Sequence, residues 1–225
     1  MNYVGKRIYT EIIRPSPEII ERFRNVPVAN ISDCMNRMFV MRSNLHPIGK
    51  GTKLLGPAFT VKVPIGDNLL FNKALALAKP GDVIVVDDSG DLDHSICGDI
   101  MYRTAKARGI AGFVIDGCVR DIDFLDEDDF PVFAIGVTPK GPYKNGPGEI
   151  NVDIACCGQV VHPGDIIAAD QDGVLVIKPS DVPDILESLK DKLASEEELS
   201  AVITDPNWVD TLIEDIVAEK KFMYY

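Results

Sequence analysis

Between residues 83 and 87 the chain reads Val-Ile-Val-Val-Asp, and at 112–117 it reads Gly-Phe-Val-Ile-Asp-Gly. Apolar runs this short, bounded by turn residues, predict strands covered on both faces. The segments around them have helical spacing. NLLFNKALALA (68–78) follows Asp67, a plausible cap, and leads through the turn KPGD into the first strand. GDIMYRTAKAR (98–108) joins the two strands and ends at Gly109, which tolerates the left-handed conformation of a helix terminus. PVFAIG (131–136) predicts a third strand, so the centre of the chain reads as βαβ with parallel neighbours.

The flanks differ. Upstream, helices are expected over 17–23 and 28–39, the second capped by Asn30 or Ser32, followed by an alternating strand over 56–63. From Glu149 onward, EINVDI, QVV, DIIAAD and GVLVIK are short runs separated by turns such as HPGD and DQDG, the pattern of an antiparallel meander. Residues 180–225 read as a helical tail. The expected architecture is one α/β domain over 1–225, with its core at about 28–178.

Composition narrows the function classes. The 225 residues carry 35 Asp and Glu against 23 Lys and Arg, a net charge of −12, which repels a phosphate backbone and argues against nucleic acid as a partner. No stretch approaches the ~18–20 apolar residues of a spanning helix, so no membrane partner is expected. The first residues lack a signal-type apolar block, and a cytoplasmic chain is the expectation. Five cysteines without a CxxC spacing suggest neither a disulfide framework nor a zinc ribbon. Cys118 alone falls in an unusual loop. His46, His94 and His162 lie far apart without metal-ligand spacing and read as structural. There is no G-x-S-x-G elbow, no Walker loop and no GxGxxG after a strand, which disfavours covalent catalysis and nucleotide binding, a methyltransferase cofactor included.

Two loops at the carboxyl ends of neighbouring strands remain, where open α/β sheets place ligands. One brings Gly98, Asp99, Ile100 and Met101; the other brings Asp116, Gly117, Arg120, Asp121 and Asp123. If a helix starts at Gly98, the amides of Ile100 and Met101 are unpaired first-turn donors for a carboxylate. Asp99 equally reads as a dipole partner, or as the mate of Arg103 one turn on. Arg120 offers a fork for a planar carboxylate and Asp121 a hard oxygen for Mg²⁺ or Mn²⁺, although the two could also pair with each other or with acidic neighbours.

The run GDIMYRTAKARGIAGFVIDGCVRD (98–121) resembles the signature of the RraA-like family, which includes class II pyruvate aldolases acting on 4-hydroxy-4-methyl-2-oxoglutarate and 4-carboxy-4-hydroxy-2-oxoadipate. The likeness extends through ISDCM, GPAFTV, GDN and KPGDVIVVD upstream, and FPVFAIGVTP, VHPGDIIAAD and DGVLVI downstream. It implies a fold similar to the swivelling phosphohistidine domain, an α/β/β sandwich, assembled as a homotrimer or a hexamer of two trimers with the site between subunits. It further implies that Asp121 binds a divalent metal and that Arg120 binds the pyruvate moiety and stabilises its enolate. Asp99 would hold a metal-bound water, and the amides of Ile100 and Met101 would receive the substrate carboxylate. An acid from the neighbour's tail, in the region of Glu196, Glu197 and Glu198, would complete the site. The implied activity is retro-aldol cleavage or oxaloacetate decarboxylation of small 2-oxo acids. One departure stands out: where these aldolases carry Arg-Asp-x-x-Glu/Asp, this chain has Phe124, with Asp123 one residue early. Some members of this family that lack that acid are regulators that bind and inhibit ribonuclease E, the alternative expectation here.

Overall fold

The computed structural model describes residues 3–204 and 208–223, divided into one unit over 1–182 and another over 183–225. In the first unit an extended arm runs into two short helices, α1 (Pro17–Glu21) and α2 (Val28–Cys34). Neither Asn30 nor Ser32 caps α2, because both lie inside it; its first amide, that of Val28, donates instead to Asp170 Oδ2 at 3.0 Å. A two-residue strand β1 (His46–Pro47) and the long β2 (Leu54–Lys62) follow. Next come α3 (Leu69–Leu77), β3 (Val83–Asp87), β4 (Ser95–Cys97), α4 (Asp99–Ala107), β5 (Gly112–Val119), α5 (Ile122–Glu127) and β6 (Val132–Val137). The chain then forms β7 (Glu149–Ile150), β8 (Ile154–Cys156), β9 (Gln159–Val161), β10 (Ile166–Asp170) and β11 (Gly173–Ile177). The second unit is helical, with α6 (Val182–Val202) entering it and α7 (Trp208–Glu219) inside it; Glu196, Glu197 and Glu198 lie on α6, and the tail positions 205–207 and 224–225 lie outside the described residues.

The main sheet runs β1-β6-β5-β3-β2-β10-β11, with β4 added on β5 and β7 on β2. As expected, β3, β5 and β6 are parallel, with Asp87 in register against Asp116, and β2 joins them as a further parallel strand beside β3. Alternation within the buried strands builds two cores. Phe59, Val61, Ile84, Val86, Phe113 and Ile115 point to the side where α3, α4 and α5 contribute Phe71, Leu75, Tyr102 and Leu125. Ala58, Val83, Val85 and Val114 point to the other side, towards Ile154 and Val161 of the β8–β9 hairpin. Helices cover one face and β-structure the other, which makes both faces of the central strands apolar and explains their unbroken sequence.

The antiparallel half is not a simple meander. Its pairings are antiparallel, yet β7 returns to β2, β8 and β9 form a separate pair, and the β10–β11 hairpin joins the main sheet through β2. Two expected loops also contain regular structure, namely β4 within 88–97 and the start of α5 within 118–123.

The arm is tied down by charge. Arg14 forks onto fully buried Asp82 with both contacts at 2.7 Å, and Arg7 pairs with Glu149. A buried carboxylate stripped of such a partner costs ~3–5 kcal/mol, so Arg14 makes the arm part of the fold.

Candidate functional site

Pairing of β4 with β5 sets Cys97 beside Val119, so the residues leaving the two strands, Gly98 and Arg120, emerge together. The Arg120 amide donates to the Cys97 carbonyl at 3.0 Å, and the Arg120 carbonyl accepts the hydroxyl of fully buried Tyr102 at 2.8 Å. Its backbone is thus held from both sides while the guanidinium stays half-exposed. Asp121 follows in the left-handed region, φ 58° and ψ 44°, which aspartate tolerates better than most residues. Its Oδ2 accepts the Asp99 amide at 3.1 Å and lies 3.6 Å from Arg120 Nε, while its Oδ1 has no partner among the described residues. The Arg120–Asp121 contact is too long for a hydrogen bond and is half in solvent, so mutual neutralisation is weak. The approach of these groups to Gly98 is close: a Cβ at Gly98 would collide with Asp121 Oδ2 and lie 3.2 Å from Arg120 Cγ.

The first turn of α4 differs from the expectation. The Met101 amide is not free: it donates to the Gly98 carbonyl at 2.9 Å, because the turn tightens at its start. Only the Ile100 amide lacks a partner among the described residues. Asp99 pairs with Arg103 four residues on, the local arrangement that its spacing allowed. Arg103 also lies over the Phe124 ring, 4.6 Å from its centre, and Phe124 stacks on Tyr102 at 6.1 Å.

These residues meet at a cavity of about 410 Å³, whose lining includes Gly98, Ile100, Met101, Arg120 and Asp121. Asn68, Asn72 and Lys144 also line it and were not expected as site residues. For Asn68 the signal was the GDN triplet; its Nδ2 donates to the Ile96 carbonyl at 3.0 Å, and its buried Oδ1 has no partner. Lys144 sits in a Gly- and Pro-rich loop that reads only as a turn. Asp99, Asp116, Gly117, Asp123 and His94 do not line the cavity. Asp67 does receive the first amide of α3, from Leu69 at 2.9 Å, and it also holds Asn145 and Gly146, which places the Lys144 loop beside Asn68.

Burial pushes the thiols of Cys97 and Cys118 up, and the Tyr102 phenol well up, so none supplies a nucleophile or base near neutral pH. Cys118 lies buried within β5 and not in a loop. The histidines bind locally, His46 to Asn44, His94 to Asp91 and His162 to Asp165, in keeping with structural roles. No helix is long and apolar enough to cross a membrane among the described residues.

Comparison with known proteins agrees with the resemblance. The family model described as Aldolase/RraA matches residues 28–176. A protein of Halalkalibacterium halodurans named "Putative 4-hydroxy-4-methyl-2-oxoglutarate aldolase" is 42% identical over 188 residues, covering 84% of this chain and 90% of that one. Among solved structures, Streptomyces coelicolor RraAS2, described as an unusual member of the RNase ES inhibitor RraA family, superposes with a TM-score of 0.74 at 28% identity, covering 84% of this chain and 100% of that one. The RNA-processing inhibitor RraA of Thermus thermophilis gives 0.64 at 30% identity, covering 68% of this chain and 93% of that one. The matched segment contains every strand from β1 to β10 and both turns of the site, and the chain belongs to the RraA-like family.

Proposed function

We propose that this protein is a divalent-metal-dependent lyase acting on small 2-oxo acids through a pyruvate enolate. One observation carries the reading: Arg120, Asp121 and the free Ile100 amide share one cavity with Lys144. The substrate carboxylate lies against the Ile100 amide at the N-terminus of α4, where the helix dipole adds to the hydrogen bond. Arg120 faces the oxygen on which enolate charge develops, the moment at which a preorganised cation contributes most. Lys144 supplies a second positive charge for the distal carboxylate of a dicarboxylic substrate, while Asp99 stays paired with Arg103 outside the cavity lining.

The donor set suits Mg²⁺ or Mn²⁺. Asp121 keeps one oxygen without a protein partner, and no group of three or more His, Cys, Asp or Glu that could hold a metal occurs among the described residues. Such a site leaves most positions to water and substrate, as hard divalent ions accept. When bound, the ion supplies Lewis-acid polarisation of the 2-oxo group. The test is a coupled assay for pyruvate release from oxaloacetate and from 4-hydroxy-4-methyl-2-oxoglutarate, with and without Mg²⁺ or Mn²⁺. Metal-dependent release supports the lyase; no release from either substrate rejects it.

A second reading, a regulator that binds a ribonuclease, is favoured by Phe124 standing where the aldolases carry an acid. The structure shows what Phe124 does instead, which is to stack on Tyr102 under Arg103, outside the cavity lining. Decarboxylation needs only a stabilised enolate, whereas retro-aldol cleavage also needs a base for the 4-hydroxyl proton. General-base assistance is worth about 10²–10⁴-fold. Wild-type protein should therefore decarboxylate oxaloacetate and cleave the hydroxy-oxoglutarate poorly. Phe124→Glu, whose carboxylate competes with Asp99 for Arg103, should raise kcat/KM selectively for the second substrate by about tenfold, a fraction of full assistance. Equal efficiencies in the wild type, or an equal change for both substrates, would discard Phe124 as the switch.

The reading includes a trimer or hexamer. Ile100, in the cavity lining, is 81% exposed, and Tyr143, next to Lys144, is 55% exposed, so apolar surface at the site awaits cover. Light scattering should report three or six times the 24.6 kDa chain mass, and a single-chain mass would exclude a shared site.

A further inference from the structure

We propose that Asp88 is a positioning residue for the cavity: its buried carboxyl group clamps the 64–68 turn, and with it Asn68, in place. Asp88 sits just past the end of β3 and is fully buried. Its Oδ1 accepts the Gly66 amide at 2.9 Å. Gly66 in turn accepts the Tyr143 amide at 2.8 Å, and the Tyr143 carbonyl accepts the Asn68 amide at 3.0 Å. One carboxyl oxygen therefore anchors a chain of hydrogen bonds that fixes Asn68 and the Lys144 loop relative to each other.

The other oxygen, Oδ2, is buried without a partner. It lies so close to β5 that a Cβ at Gly117 would come within 2.7 Å of it, which leaves glycine as the residue that fits there. The charged and titratable groups facing Asp88 are Asp87 beside it, Asp91 in the following loop, and Asp116 and Cys118 on β5. His94, whose ring packs on Gly66, is bound to Asp91 at 2.8 Å, and Lys62 is committed to the neighbouring Asp87 at 2.5 Å. No cation pairs with Asp88 itself among the described residues. Burial first, and then the three neighbouring carboxylates, push its pKa up to about 8 against the pull of the single Gly66 hydrogen bond. The clamp thus carries a proton at neutral pH. Above pH 8 an unpaired charge would remain buried among like charges, and the turn must open to hydrate it.

The sign follows from the raised value. The group binds a proton in the folded state that the unfolded chain releases near pH 4, so its contribution to stability is complete at low pH and is lost as pH rises to about 8. Hydrogen exchange of the Gly66 and Asn68 amides reads the clamp directly, without substrate or metal. Their protection factors, corrected for base catalysis of exchange itself, should fall about tenfold between pH 7 and pH 9 in the wild type. In Asp88→Asn, which keeps the acceptor and cannot ionise, they should stay flat. Protection that is independent of pH in the wild type, or that falls equally in Asp88→Asn, overturns the proposal, as does loss of protection in Asp88→Asn at pH 7. Should Asp88→Asn fail to fold, the carboxyl carbon of Asp88 in the wild type, followed by NMR, decides: titration near pH 8 supports the clamp, and titration in the ordinary carboxylate range overturns it.

The link to the site is read separately and rests on the proposed lyase. Oxalate, a planar dianion shaped like pyruvate enolate, should bind in the presence of Mg²⁺ with an affinity that drops about tenfold from pH 7 to pH 9 in the wild type and not in Asp88→Asn. Oxalate that fails to bind at any pH, alongside pH-dependent exchange, counts against the lyase and leaves the clamp intact. Oxalate binding that ignores pH while exchange responds shows a clamp that does not position the site, and overturns the proposal.

Discussion

In Asp121→Asn, pyruvate release from oxaloacetate is expected to fall at least about 10³-fold, ~4 kcal/mol of transition-state stabilisation, while the melting temperature stays unchanged. Asparagine is the informative substitution because residue 121 is left-handed, with φ 58°, and asparagine tolerates that region where alanine does not. It also keeps an oxygen to accept the Asp99 amide, so the turn between β5 and α5 survives. What it removes is the carboxylate that lines the cavity with an oxygen to spare for a cation. Since the proposed ion has a single protein carboxylate, binding should be weak and EDTA should reduce the wild type to the level of the variant. Full activity in excess EDTA, or a variant as active as the wild type, would discard the metal-dependent mechanism. A variant that also melts early would mean that Asp121 holds the turn and not the ion.

How much of this was legible in the sequence follows from how local each feature is. The runs at 83–87 and 112–117 are apolar up to Asp87 and Asp116 because the strands are covered on both faces, and that pattern survives in a single sequence. Gly109 ends α4 with φ +71°, as expected, because the requirement is set by one residue's backbone. β4 was hidden, being three residues whose strand character comes only from pairing with β5. The antiparallel half misleads for the same reason, since nothing within QVV or DIIAAD states whether the partner is the next strand or β2. At the cavity, Gly98, Ile100, Met101, Arg120 and Asp121 were legible because two short turns present them in sequence order. The pairing of the Met101 amide was not, because it depends on whether the first turn of α4 tightens. Asn68 and Lys144 reach the site through Asp67 and Tyr143, contacts across more than seventy residues that no spacing records.

The Arg103 contacts show the same limit from the other side. Its spacing from Asp99 announces the ion pair, but the Phe124 ring under its guanidinium is visible only in three dimensions. Asp99 and Phe124 are thereby coupled through one arginine. Replacing either residue alone frees Arg103 to redistribute, so their effects on activity should not add.

Gly98→Ala is expected to lower kcat/KM for oxaloacetate by about 10²-fold with only a small loss of stability, and the reason is purely steric. Gly98 is extended, with φ −158° and ψ −170°, a conformation open to any residue, so no backbone strain enters. A methyl group would nevertheless collide with Asp121 Oδ2 and lie 3.2 and 3.3 Å from Arg120 Cγ and Nε. Both side chains are nearly half exposed and have room to swing aside, so the fold tolerates the change, but the proposed metal ligand and the proposed enolate-stabilising cation are displaced together. Misplacement by about 1 Å typically costs about 10²-fold. Gly98→Ser separates the two effects: serine is a favoured N-cap residue, so stability should recover while activity stays low. Gly141→Ala is the control from the opposite side, because its Cβ would meet only the flexible end of Arg120, at 3.0 Å from Nη1, and the arginine should yield with a much smaller loss. Undiminished activity in Gly98→Ala would show that the close approach of Gly98 to Asp121 is a packing detail and not part of the site.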